Sequence, residues 1–129
     1  MDPHRSTPKS AWTGAVNVAL GAWLMLAPLV LGYGVVRIAF WNDLLLGLLI
    51  IVAGWMAATG DFPVASWANV LFGFWLVASP FVLGYWVSAR PAAPANNIVI
   101  GVAVAVLGLI SAVFYYPAQV ATRRARSLP

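Results

Sequence analysis

The chain has 129 residues, of which 63% are hydrophobic and only 8% are charged. About a quarter of the residues of an ordinary soluble protein are charged. So few charges cannot cover the surface of a soluble domain of this size, and the composition indicates an integral membrane protein. The chain contains no cysteine, which excludes disulfides, zinc–thiolate sites, iron–sulfur clusters and a cysteine nucleophile.

The charged residues divide the chain into four uncharged stretches, residues 10–36, 44–60, 62–89 and 91–122. A helix needs only about 20 apolar residues to cross a bilayer. We place the membrane-spanning helices at 12–32, 43–59, 64–84 and 97–116. The predicted fold is an all-α membrane protein with four transmembrane helices.

The distribution of Lys and Arg predicts the orientation. With four spans both termini lie on one side, together with Arg5, Lys9, Arg123, Arg124 and Arg126. The other side holds Arg37 and Arg90, so the positive-inside rule places both termini in the cytoplasm of a cytoplasmic membrane. Arg123, Arg124 and Arg126 are predicted to anchor the tail on anionic membrane lipids, and we expect no nucleic-acid partner.

Aromatic side chains fit two belts at the membrane interfaces. The inner belt would contain Trp12, Phe62, Trp67, Tyr115 and Tyr116, and the outer belt Tyr33, Trp41, Tyr85 and Trp86. An alternative is that the aromatic residues contact an apolar cofactor such as a quinone or a carotenoid. The belt explains them without a ligand, and no cofactor is predicted.

The chain contains one two-helix unit twice. Residues 17–33 recur as residues 69–85, with identical Asn, Gly, Trp, Pro, Val, Leu, Gly and Tyr positions. The next helices match as well, since Asn42, Gly47, Gly54 and Ala58 correspond to Asn96, Gly101, Gly108 and Ala112. The predicted parts are an N-terminal tail at 1–11, a first repeat at 12–59, an inner turn at 60–63, a second repeat at 64–116 and a basic C-terminal tail at 117–129. Two parallel repeats imply a bundle with a pseudo-twofold axis along the membrane normal.

The repeated positions carry a family resemblance. They are Trp23, Ala27, Pro28, Gly32 and Tyr33 in the first unit and Trp75, Ser79, Pro80, Gly84 and Tyr85 in the second. This pattern resembles the SPW-repeat family of small prokaryotic integral membrane proteins. The tripeptide that names the family is Ser-Pro-Trp, and it is incomplete in both copies. The chain has Ala27-Pro28-Leu29 and Ser79-Pro80-Phe81, so no tryptophan follows either proline. The resemblance implies a small prokaryotic membrane protein and supplies no activity, substrate or catalytic residue.

Small residues recur at helical spacing on several faces. The predicted packing positions are Gly21, Gly47, Gly54, Ala58, Gly73, Gly101, Ala105, Gly108 and Ala112. Small side chains let helix backbones approach closely in a membrane, so these faces should form the bundle interior. A substrate path lined by small residues is the functional alternative.

Asn17 and Asn69 are predicted to be the polar amides inside the spans, and we expect them to hydrogen-bond each other or each other's backbone between helices. An ion or small-ligand site is the alternative. Asn42 or Asp43, and Asn96 or Asn97, are predicted N-caps of the second and fourth helices.

Pro28 and Pro80 should kink or end their helices, because proline lacks the backbone donor for the carbonyls of Leu24 and Leu76. Ser79 can help to satisfy the freed backbone, whereas Ala27 cannot. Gly32 and Gly84 suit the turn that follows.

The inventory of reactive residues argues against catalysis. One His and three Asp lie in tails and loops or at predicted span ends, so no titratable groups are expected to converge, and no catalytic or metal site is predicted. No span is expected to contain an ionisable residue beyond its ends, which argues against proton-coupled transport. The leading hypothesis is a noncatalytic structural or accessory membrane protein that forms a homo-oligomer or joins a larger membrane complex. The alternative is a small oligomeric channel or transporter.

Overall fold

The computed structural model describes residues 11–60, 63–87, 90–115 and 124–127. In this part of the chain the secondary structure is entirely helical. The long helices are α1 (Ala11–Val30), α2 (Arg37–Thr59), α3 (Pro63–Val82) and α4 (Ala92–Ile110), and α4 continues as a π-helical turn, Ser111–Tyr115. All four are long and apolar enough to span a membrane, which confirms the predicted all-α membrane fold.

The four helices pack as two hairpins. Contacts are most extensive between α1 and α2 and between α3 and α4, which are the two repeats. The hairpins meet each other through α2 with α3 and through α1 with α4. We call the end with the α1–α2 and α3–α4 connections the hairpin end, and the opposite end the terminal end. The pseudo-twofold axis stays a prediction, although equivalent residues make equivalent contacts in both repeats.

The second and fourth helices begin earlier than predicted. α2 starts at Arg37 rather than at residue 43, and α4 starts at Ala92 rather than at residue 97. A single arginine at a helix end can extend to the interface, so its charge does not end the helix there. Pro94 is tolerated because the first turn of a helix has no intrahelical acceptors for its N–H groups. The predicted N-caps are therefore wrong: Val36 and Pro91 precede the helices, without side-chain capping bonds.

The ends of α1 and α3 agree with the repeated proline and glycine. Each helix ends two residues after its proline, at Val30 and Val82. Gly32 and Gly84 follow with φ of 78° and 81°, a conformation that glycine adopts without steric cost. In both repeats the carbonyl of the proline then accepts a backbone N–H six residues later, at 2.9 Å from Gly34 and 3.1 Å from Trp86. The repeated residues thus build the same reversal twice.

Backbones touch along the two hairpin seams. A Cβ atom on Gly21 would lie 2.7 Å from the carbonyl oxygen of Gly47, and one on Gly101 would lie 2.7 Å from that of Gly73. Gly14 was not among the predicted packing positions. A Cβ atom on Gly14 would collide with the carbonyl oxygen of Gly54 and the backbone of Ala58. Of the remaining packing positions, Ala105 lies against Gly73, Gly108 lies against the backbone of α3, and Ala112 is buried. Since no side chain separates the helices at these glycines, the two helix axes can approach closely.

Apolar side chains fill the centre of the bundle between its two ends. Leu24, Leu46, Ile50, Leu76, Ile100 and Val104 form one buried cluster, to which every long helix contributes. The half-buried Trp23 and Trp75 pack against it. This middle layer separates the polar groups at the hairpin end from those at the terminal end.

A prediction follows for the seam between α3 and α4. A Cβ atom on Gly108 would lie 2.8 Å from the carbonyl oxygen of Ser66 and 2.9 Å from the amide nitrogen of Val70. Gly108→Leu should therefore force the helices apart and lower the free energy of unfolding by about 1–3 kcal/mol, as overpacking does. Thermal unfolding in detergent measures this, and the matched control is Ala95→Leu on the exposed face of α4. Equal stability of the two variants would contradict the seam.

Candidate functional site

Polar side chains from both repeats meet at the hairpin end. We call this group the interrepeat cluster; its members are Trp23, Tyr33, Asn42, Asp43, Trp75, Ser79, Tyr85, Asn96 and Asn97. The helices present them because α2 and α4 begin more than one turn before their asparagines. The residues predicted as N-caps consequently project into the bundle.

Each repeat donates a tryptophan hydrogen bond to the other repeat. The indole Nε1 of Trp23 on α1 donates to Oδ1 of Asn96 on α4 at 2.9 Å. The indole Nε1 of Trp75 on α3 donates to Oδ1 of Asn42 on α2 at 2.8 Å. Both tryptophans and both asparagines are equivalent positions of the duplication. The two hairpins are thus joined by a reciprocal pair of bonds.

One branch of the cluster ends at the carboxyl group of Asp43. Asn96 Nδ2 donates to the Tyr33 hydroxyl at 3.0 Å, and this hydroxyl donates to Asp43 Oδ2 at 2.6 Å. Asn42 Nδ2 lies 3.5 Å from Asp43 Oδ1, and Asn97 also hydrogen-bonds the carboxyl group. Asp43 is fully buried, with 0% of its surface exposed. These neutral donors offset part of the cost of removing a carboxyl group from water.

The tyrosines of the cluster stay protonated. Burial, with the hydrogen bond to Asp43 and the charge of its carboxyl group, raises the pKa of Tyr33 well above its usual value. Burial also raises the pKa of Tyr85. Both side chains therefore act at neutral pH as hydroxyl groups that donate and accept hydrogen bonds.

The other branch ends at a backbone carbonyl. Asn42 Nδ2 lies 3.2 Å from Ser79 Oγ and 3.4 Å from the Tyr85 hydroxyl, to which Asn97 Nδ2 also donates. Ser79 Oγ lies 3.0 Å from the Tyr85 hydroxyl and donates to the carbonyl oxygen of Leu76 at 2.9 Å. Proline at the next position cannot donate to that carbonyl. The prediction that Ser79 satisfies the freed backbone is confirmed.

The two branches differ at two pairs of equivalent positions. The first repeat has Ala27 and Asp43 where the second has Ser79 and Asn97. Tyr33 donates to a carboxyl oxygen that only accepts, whereas Tyr85 receives a bond from Asn97 and so has its own hydrogen available for Ser79. The repeats therefore solve the same hydrogen-bonding problem with different residues.

Two expectations about ionisable groups are wrong. Tyr33, Asp43 and Tyr85 do converge, because the connections fold back over the end of the bundle. Asp43 lies inside a membrane-spanning helix rather than at its end, because α2 begins six residues before it. The cluster offers one carboxyl group and several hydroxyl and amide groups, and the described residues contain no group of three or more His, Cys, Asp or Glu that could hold a metal ion.

Two residues of the predicted outer belt do not face outward. Tyr33 and Tyr85 are buried in the cluster, while Trp41 and Trp86 are exposed as expected. Among the inner residues Trp12 and Trp67 are exposed. Arg124 and Arg126 are exposed on a short helical turn, 124–127, whereas Arg123, Phe62 and Tyr116 lie outside the described residues.

Asn17 and Asn69 are both buried, but the expected hydrogen bond between them is not formed. Oδ1 of Asn17 and both polar side-chain atoms of Asn69 have no hydrogen-bond partner. The helices α1 and α3, which carry them, do not pack extensively against each other. The amides are therefore buried without the bond that was expected to explain them.

Four members of the interrepeat cluster were missed as functional residues: Asn42, Asp43, Asn96 and Asn97. The sequence did contain an indication of them, since Asn42 and Asn96 occupy equivalent positions in the two repeats. Asparagine and aspartate beside a predicted helix start are typical N-caps, and this local preference was followed. The recurrence of Trp23 and Trp75 together with the asparagines was the better indication.

The family model of the SPW repeat domain matches residues 11–111, which include all four long helices. The chain belongs to the SPW repeat family. The match confirms the resemblance noted in the sequence. No curated protein and no solved structure matches the chain. In this SPW repeat protein the first repeat retains only the proline of the tripeptide, Pro28. The second retains Ser79, which closes one branch of the cluster, and Pro80, which frees the carbonyl of Leu76.

The difference between the branches can be tested by exchange. Asp43→Asn should lower the free energy of unfolding by about 1–3 kcal/mol. The amide nitrogen that replaces one carboxyl oxygen cannot accept the hydrogen bonds that neighbouring groups donate to that oxygen. Adding Ala27→Ser should restore much of the loss, since the first repeat then has the pair found in the second. Ala27→Ser alone is the control. An unchanged deficit in the double variant, measured by thermal unfolding, would contradict this account of the two branches.

Proposed function

We propose that this protein is a noncatalytic structural or accessory protein of the prokaryotic cytoplasmic membrane, with both termini in the cytoplasm. It packs with itself or with a larger membrane complex, and lipids are its other contacts. The observation that carries the proposal is that the polar groups of the interrepeat cluster, apart from Oδ1 of Asn97, are bonded to one another or to the backbone, and that several of these bonds cross between the repeats. A catalytic centre instead directs reactive groups at a bound substrate.

The middle layer supports the same conclusion. Leu24, Ile50, Leu76 and Val104 are fully buried and lie between the interrepeat cluster and the terminal end. Polar groups at the two ends of a single chain are thus not joined through its interior. The interior is organised for packing rather than for passage.

The outer surface is suited to lipid or to another membrane protein. Large apolar side chains are exposed on every long helix, among them Leu29, Trp55, Phe74 and Val99. Such a surface contacts hydrocarbon chains in a monomer and apolar side chains in an assembly. Helices associate in membranes by close packing and hydrogen bonding, since their apolar surfaces gain little by leaving lipid.

The size of the assembly tests the proposal. The protein is isolated from its native membrane in a mild detergent, and native mass spectrometry measures the intact particles. We expect a stoichiometric homo-oligomer or heteromeric complex that persists when the detergent is diluted with excess empty micelles. Chance co-occupancy of a micelle disappears on this dilution, which makes it the control. A monomer under all conditions would contradict the proposal.

A small oligomeric channel or transporter is the second candidate, and Asp43 favours it. Ionisable residues buried inside membrane spans commonly mark ion or proton pathways. Because the middle layer fills a single chain, a pathway would have to run between chains of an oligomer. Ion flux into liposomes tests this candidate. A channel or transporter requires that the wild-type protein conducts ions and that Asp43→Asn abolishes this flux while the oligomer stays intact. Flux equal to that of protein-free liposomes would remove it.

A further inference from the structure

Two buried amides at the level between the middle layer and the terminal end have polar atoms without hydrogen-bond partners. Asn17 and Asn69 occupy equivalent positions, and each exposes 1% of its surface. Oδ1 of Asn17 and both Oδ1 and Nδ2 of Asn69 have no hydrogen-bond partner. A buried polar group without a partner is costly, and folded proteins satisfy nearly all such groups with protein atoms or ordered water.

Both amides lie on helix faces that are directed to the bundle axis. Leu24 follows Asn17 by about two helical turns on the same face of α1, and Leu76 follows Asn69 in the same way on α3. Leu24 and Leu76 belong to one buried cluster at the centre of the bundle. The two amides therefore point towards the same axis, one layer nearer to the terminal end.

Several neighbouring side chains on that layer are short, and the hydroxyl groups of Thr13 and Ser66 are also buried at this end of the bundle. Ala53, Ala57 and Ala65 form a buried cluster there. A Cβ atom on Gly108 would lie 3.1 Å from Cβ of Asn69. Alanine and glycine neither reach across the axis nor bond to an amide. The amides themselves do not bond to each other, so both polar groups face the axis without the bond that would satisfy them.

We propose that a water molecule binds between Asn17 and Asn69 and bridges them across the bundle axis. A buried water makes about two to four hydrogen bonds, and the three unpartnered amide atoms supply acceptors and a donor for it. The ligand is water rather than an ion, because both groups are neutral amides. This site is independent of the proposed function.

The site lies towards the terminal end. The middle layer closes it towards the hairpin end, where the interrepeat cluster already satisfies most of its own polar groups. Ser66 and Ser111, whose hydroxyl oxygens lie 2.7 Å apart, belong to the same end of the bundle.

Nuclear magnetic resonance of the full chain in detergent micelles tests the site. Side-chain ¹⁵N labelling of asparagine allows cross-relaxation between water and the Nδ2 protons to be measured. We expect cross peaks with the sign of a long-lived bound water at both Asn17 and Asn69. The control is Ser66→Ala, which breaks the hydroxyl pair near Asn69 and should leave both cross peaks in place. Absence of a water cross peak at Asn69 in the wild-type protein overturns the proposal.

The bridge itself is tested by a variant. Asn69→Leu should abolish the water cross peak of Asn17, because the water loses its second amide. The reciprocal variant, Asn17→Leu, should abolish the cross peak of Asn69 and gives the same test if the first variant does not fold. Cross peaks that persist in either variant would mean that the amides are hydrated separately, and the bridge would be wrong.

Discussion

The two repeats are joined by hydrogen bonds that each tryptophan donates to the asparagine of the other repeat. In water, apolar surface alone would press two helical hairpins together, but in lipid this force is weak. Trp23 with Asn96 and Trp75 with Asn42 supply directional bonds that fix which faces of the hairpins meet. The positions of both connections follow, because Tyr33 and Tyr85 must reach the same cluster.

Within each hairpin a different interaction dominates. Glycines on facing helices allow backbone contact, as between Gly21 and Gly47 and between Gly73 and Gly101. Contacts of this kind are numerous, but they do little to fix how one hairpin is rotated relative to the other. The bundle therefore combines close packing inside each repeat with specific hydrogen bonds between repeats.

The duplication also shows how equivalent tyrosines are hydrogen-bonded by different residues in the two repeats. Proline at positions 28 and 80 frees a backbone carbonyl in both repeats, but only the second has a serine beside it. Ser79 bonds to the carbonyl of Leu76, and the neighbouring tyrosine bonds to Ser79. In the first repeat Asp43 accepts from the tyrosine instead. Asp43 is thus explained by hydrogen bonding, and any transport role would be added to this one.

Most of the fold could be predicted from the sequence, because apolar length, the internal duplication and glycine spacing are properties of the chain itself. The family could be predicted for the same reason. The interrepeat cluster was not predicted, since a charged residue was taken to end a span, although the recurrence of the tryptophans together with the asparagines indicated it. The start of α2 before Asp43 depends on an arginine that reaches the interface and on partners from the other repeat. The absence of a direct bond between Asn17 and Asn69 depends on the spacing of two helices that are not neighbours, which no local pattern contains.

Reciprocal bonds between tryptophan and asparagine hold the repeats together, and a double-mutant cycle measures their contribution directly. Unfolding free energies are measured for Trp23→Phe, Asn96→Leu and the double variant. Trp23→Phe with Ser66→Ala is the unpaired comparison, because Ser66 lies at the terminal end, beyond the middle layer. We expect a coupling energy of about 0.5–3 kcal/mol for the bonded pair and a much smaller one for the comparison. Equal coupling in the two cycles, or none in either, would contradict this role of the bonds.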